Sequence, residues 1–181
     1  MKTLMLALAL IISLAFTTGC GGEGDATESN GNTDTSQNSE SADSGEISLT
    51  DPDEFGQAVF VVNEELFAEL HETLSQGLPA AELAPVITEI KERYITSYVE
   101  LGRIREGMSD AEKEAANSAI RSALYDRDMD TYRAVNDMTE VYRDENNELA
   151  NEIVSLSILM QYADFELLRS QEPAEAERLG L

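Results

Sequence analysis

The chain has no tryptophan, one histidine (His71), one cysteine (Cys20) and four prolines. Each shortage removes a class of chemistry. With no Cys beyond position 20, the rest of the chain has no disulfide, no thiolate nucleophile and no Cys-x-x-Cys-His haem attachment, so packing alone must stabilise it. A single His, with Ala68 three residues before it, leaves no pair of Glu-x-x-His motifs for a di-iron bundle. Neither a Gly-x-Ser-x-Gly elbow nor a Gly-rich phosphate loop occurs. A catalytic carboxylic acid needs an apolar surround to raise its pKa, and no acid interrupts a strongly apolar stretch. The expectation is a protein without enzymatic activity or a cofactor. Basic residues are short as well: 12 Lys and Arg face 36 Asp and Glu, a net charge of −24. Only Lys91 and Lys113 are lysines past residue 2. Reading a nucleic-acid backbone wants the opposite sign, so no nucleic-acid partner is expected.

What is present begins with an address. Lys2 precedes an uncharged run from Thr3 to Phe16, too short to span a hydrocarbon core that takes about 20 apolar residues. A charged start, apolar centre and small-residue end describe a secretory signal. The run stops at Thr17-Thr18-Gly19-Cys20, which resembles the lipobox of bacterial lipoproteins. The resemblance implies cleavage after residue 19, acylation of Cys20 with palmitate-type chains, and a lipid-anchored place in the cell envelope, the domain being exported from the cytoplasm. Thr17 stands where lipoboxes usually carry Leu, and an ordinary signal peptidase also accepts Thr17 and Gly19. Lipidation would remove an exposed thiol that is otherwise an oxidation liability, and several acyl chains hold far better than one.

Residues 21–50 carry seven acids, no base and no aromatic residue. Such a segment cannot bury enough apolar surface to offset the entropy of ordering. It reads as a disordered acidic tether, repelled by anionic headgroups. The expected organisation is a signal over 1–19, the lipidated Cys and linker over 20–50, and a helical domain over 51–181.

That domain reads as all-α. Phe55, Val59, Val62, Leu66, Leu70 and Leu74 form one helical stripe, ended by Gly77 and Pro79. A second helix is expected after Pro85, with Ile87, Ile90, Tyr94, Ser97, Leu101 and Ile104 as its stripe and Gly107 as its end. Ser109 and Glu112 fit a capping box opening a third helix whose first half is rich in Ala, whose stripe slips between Asp126 and Asp130, and which resumes through Tyr132, Val135, Met138 and Tyr142. After a turn at residues 144–147 the last helix carries Leu149, Ile153, Leu156, Met160, Ala163 and Leu167, with Val154, Ile158 and Phe165 on a second apolar side. Two apolar sides mark it as the most buried helix. Four stripes and short loops predict an antiparallel four-helix bundle. A dimer of long hairpins would need the same stripes.

Few residues suggest a site. His71, among Phe67, Ala68, Leu74 and Ser75, reads as a boundary residue half on the core. Asp126, Asp128, Asp130 and Asp137 occupy positions one, three, five and twelve of a calcium loop, the motif of the EF-hand. The sixth position, where that loop needs Gly, is Thr131. Tyr125, Tyr132, Arg133, Tyr142 and Arg143 are candidate contact residues, since Tyr and Arg are enriched at interface hot spots. The sequence therefore points to a non-enzymatic envelope lipoprotein whose partners are the membrane, through its lipid, and an unidentified envelope protein. Ca²⁺ binding at the acidic segments and holdase-like chaperoning are the alternatives.

Overall fold

The computed structural model describes residues 49–125, 127 and 129–181. The signal, Cys20, nearly all of the acidic tether, Asp126 and Asp128 lie outside the described residues. The domain is all-α, with no strand among the described residues. Its helices are α1 (Pro52–Leu74), α2 (Ala80–Glu106), α3 (Asp110–Tyr125), α4 (Met129–Arg143), α5 (Asn147–Ser155), α6 (Phe165–Gln171) and α7 (Pro173–Arg178). A 3₁₀ segment, Leu156–Ala163, joins α5 to α6. None of the described helices is long and apolar enough to cross a membrane.

Local chemistry sets most of the ends. Asp51 caps α1 by accepting from the Asp53 and Glu54 amides, satisfying donors that a helix N-terminus leaves orphaned. Gly77 follows with φ +60°, a left-handed position that costs residues with a Cβ. The capping box at α3 forms as expected. Glu112 accepts from the Ser109 amide at 2.7 Å and its hydroxyl at 2.6 Å, while the Glu112 amide donates to Ser109 Oγ at 3.4 Å.

Three expectations need correction. The second helix begins at Ala80, not after Pro85, which sits exposed in its second turn. There the hydrogen bond that Pro cannot donate faces solvent. Pro79 offers no side-chain cap, and Glu145 supplies one from across the bundle, accepting from the Ala80 amide at 3.4 Å. The last helix is not the most buried. It tightens into eight residues of 3₁₀ helix, and of its second apolar side Phe165 is buried while Val154 (45 %) and Ile158 (56 %) stay exposed. His71 is exposed, away from the core boundary.

The deepest burial belongs to the α1–α2 hairpin: Phe55, Val59, Leu66 and Leu70 on α1 meet Leu83, Ile87, Ile90, Ile95 and Tyr98 on α2. Asn63 on α1 is buried beside the Tyr98 hydroxyl of α2. Consecutive limbs reverse direction, as in an antiparallel bundle, but the spatial neighbours differ from a simple meander. Gly56 faces Ala119, the Phe67 ring lies 4.9 Å from that of Tyr132, and Ser75 Oγ reaches Met138 Sδ. The α1 helix and the α3–α4 limb thus run side by side in one direction. Likewise α2 accompanies the last limb: Ala80 meets Glu145, Lys91 meets Glu152, and Arg105 meets Asp164.

Two glycines permit this closeness. A Cβ on Gly56 would sit 2.5 Å from Ala119 Cβ, so the Ala-rich half of α3 presses directly on the α1 backbone. A Cβ on Gly102 would collide with the Phe165 ring, which α2 seats at that gap. One side of the bundle is left open. While α4 packs on α5 and α2 on the 3₁₀ segment, α3 packs on α1 without comparable packing against the 3₁₀ segment or α6.

Candidate functional site

The open side is a groove. One wall is α3, the other is the 3₁₀ segment with α6, and Phe55 of α1 lies in the floor. Its apolar stretch, about 340 Å³, is lined by Phe55, Ile120, Ile158, Met160 and Leu167. Toward the start of α3 it opens into a polar basin of about 460 Å³ bounded by Asp110, Lys113, Glu114, Glu166 and Ser170. Arg105, Asn117, Asp164 and Leu167 belong to both stretches and mark their junction.

Arg105 comes from the last turn of α2 and is only 6 % exposed. Its Nη2 group forms an ion pair with Asp164 Oδ2 at 2.9 Å and donates to Asn117 Oδ1 at 3.1 Å. Asp164 uses its other oxygen to cap α6, accepting from the Leu167 amide at 3.0 Å. One carboxylate therefore ends the 3₁₀ segment, starts α6 and ties both to α2. Above it, Lys113 Nζ reaches Glu166 Oε1 at 2.8 Å, bridging the two walls. That contact raises the Lys113 pKa and lowers that of Glu166. Both cations of the groove are thus already neutralised. Glu114 has Arg121 at 3.3 Å, but that pair is well exposed and such pairs contribute little.

The acids with shifted pKa all move downward: Glu112 through Ser109, Glu140 through Arg143, Glu166 through Lys113 and Glu175 through Arg178. Each is held as a carboxylate near neutral pH, the wrong state for a proton donor.

The contact residues expected from sequence are dispersed. Tyr125 is 90 % exposed at the end of α3. Tyr132 packs its ring on Phe67, with the Arg127 guanidinium 4.6 Å from the ring centre. Arg133 is exposed and pairs with Asp130 at 3.6 Å, and Arg143 pairs with Glu140. Tyr142 is buried and its hydroxyl donates to the Leu78 carbonyl at 2.9 Å, so it clamps the turn after α1 instead of facing a partner.

The calcium-loop pattern is also placed differently. Residues 129–137, its fourth to twelfth positions, run as helix within α4. Asp130 and Asp137 thus stand seven residues apart on a helix, about 10 Å along its axis, and do not converge as loop ligands must. Among the described residues, no group of three or more His, Cys, Asp or Glu is placed to hold a metal ion.

Sequence reasoning passed over Arg105 and Asp164, and read Ile158 and Leu167 as core residues of the last helix. The available signal was the second apolar side of the last helix, which reads equally as deep burial or as an uncovered face. No protein-family model, curated protein or solved structure matches this chain.

Proposed function

We propose that this protein is a lipid-anchored envelope adaptor: cut before Cys20, acylated there, spaced from the membrane by its acidic tether, and binding another envelope protein through its helical head. It performs no chemistry of its own in this reading. The observation that carries it is the short uncovered apolar row of Ile158 and Leu167, exposed at 56 and 37 % along the groove. Scattered apolar residues on a surface need no explanation, whereas a row lining a concavity marks an interaction site. The charge supports the tether's part, since a chain of net charge −24 is pushed off anionic lipid unless a hook holds it.

The test is in-cell cross-linking followed by membrane fractionation of the full chain. Wild-type protein should stay with membranes, take up a palmitate analogue and give discrete adducts with a second envelope protein. Cys20→Ala should leave the membrane fraction. Ile158→Glu should stay membrane-bound and lose the adducts. Adducts undiminished by Ile158→Glu, in a variant of unchanged helicity, would contradict the adaptor reading.

A further inference from the structure

We infer that the groove is the seat of a basic amphipathic helix belonging to the partner protein. This rests on the adaptor reading and names the chemistry of what is bound. Charge complementarity carries it. The apolar stretch accepts an apolar stripe, and the basin at its end is bordered by Asp110 and Glu114 on α3, with Asp164 and Glu166 opposite. Arg105 and Lys113, the cations at this place, are already paired with Asp164 and Glu166. Lys or Arg side chains at one end of an apolar stripe would reach Asp110 and Glu114 in the basin. The surrounding head adds to this attraction, with 29 acidic against 11 basic residues from position 51 onward, a balance of −18. Such a field speeds encounter with a cationic partner and repels anionic ones.

The same balance disfavours other occupants. An anion approaching the basin would find Arg105 and Lys113 already paired and would face the Asp110 and Glu114 carboxylates. A second copy of this head brings like charge and no basic helix. An extended peptide would find no strand edge among the described residues, so its backbone groups would lose water without gaining a ladder. A helix satisfies its own backbone and presents side chains at the i, i+3, i+4 and i+7 spacing that grooves read. The α3 wall, 16 residues or about 24 Å long, offers roughly four turns for it to lie against.

The experiment titrates full-length protein with three labelled peptides: a Leu/Lys helix with Leu on one face, the same Leu face with Glu in place of Lys, and a scramble of the Leu/Lys sequence. Anionic vesicles, offered to the Cys20→Ala variant so that no acyl hook is present, form a fourth arm. The Leu/Lys helix should bind, the Glu version and the vesicles should not, and the scramble should bind at least about tenfold more weakly. The paired variant Ile158→Ser, Leu167→Ser should weaken the Leu/Lys helix about tenfold or more, in keeping with a central apolar anchor. Val61→Ser with Val141→Ser, which also removes exposed apolar side chains without changing charge, should leave affinity unchanged. Equal binding by helix and scramble, or equal losses in the two paired variants, would reduce the effect to bulk charge and overturn the proposal. Binding of the acidic peptide or the vesicles instead would overturn it too. If no basic peptide binds while Ile158→Glu still abolishes adducts in cells, the partner chemistry is wrong and the adaptor reading stands. If the adducts also persist, both fall.

Discussion

Gly56 and three tyrosines give the residue scale its sharpest tests. The Gly56→Ala methyl would enter Ala119 Cβ at 2.5 Å, forcing α1 and α3 apart. Overpacking of this kind costs about 1–3 kcal/mol, and up to about 1 kcal/mol returns as helix propensity. The expected net loss is about 1–2 kcal/mol in urea unfolding, and a stabilised variant would show that the two helices are not in contact there. Tyr94, Tyr98 and Tyr162 have pKa values raised above the ordinary 10.0, chiefly by burial; Glu69 adds to the rise at Tyr94 and Glu175 at Tyr162. A raised pKa means the folded state holds the proton more tightly than the unfolded chain. The resulting stability is complete below pH 10 and drains away as pH climbs above it. In a spectrophotometric alkaline titration these hydroxyls should ionise together with the loss of helix signal. Ionisation of all six tyrosines with the helix signal intact would be the contrary result. The tyrosines were visible in the sequence, but which of them were covered was not. Tyr142 and Tyr125 were both expected as contact residues, yet one is buried and the other is 90 % exposed.

Individual helices show where local sequence suffices and where it yields to packing. The start of α1, the stop at Gly77 and the Ser109–Glu112 box were all legible, because caps are written in adjacent residues. The start of α2 was not: its cap comes from Glu145, 65 residues away. Nor could spacing reveal that the last limb would tighten into 3₁₀ helix over Leu156–Ala163, where such runs rarely exceed four residues. Asp164 is the residue on which this limb turns, and removing it should be costly. Asp164→Ala deletes the α6 cap, worth about 1 kcal/mol, and strands the buried Arg105. Breaking a fully buried pair costs about 3–5 kcal/mol; with Asp164 27 % exposed, a total of about 2–4 kcal/mol is expected. Adding Arg105→Met should restore part of the loss, since no charge then remains unpaired. A double variant as unstable as the sum of its singles would show that the two residues do not act together.

Over the whole molecule, apolar burial is unevenly shared. Six apolar residues of α1 and nine of α2 are buried, against Ala116 alone in α3. The all-α class and most of the core were readable from the stripes, because periodicity reports burial without needing to know the neighbour. The groove was not readable, since whether an apolar side is covered depends on how far two distant segments stand apart. The central claim is that the α1–α2 hairpin forms the rigid keel, while α3, pressed closely on α1 but burying only Ala116, borders the open side. Hydrogen–deuterium exchange on the full-length protein tests this most directly, because regions with little apolar burial open below the global unfolding free energy. Amides around Leu66, Leu70, Ile87 and Ile90 should exchange last, by global unfolding, and those of α3 well before them. Exchange of α3 at the same rate and with the same denaturant dependence as the keel would contradict the account.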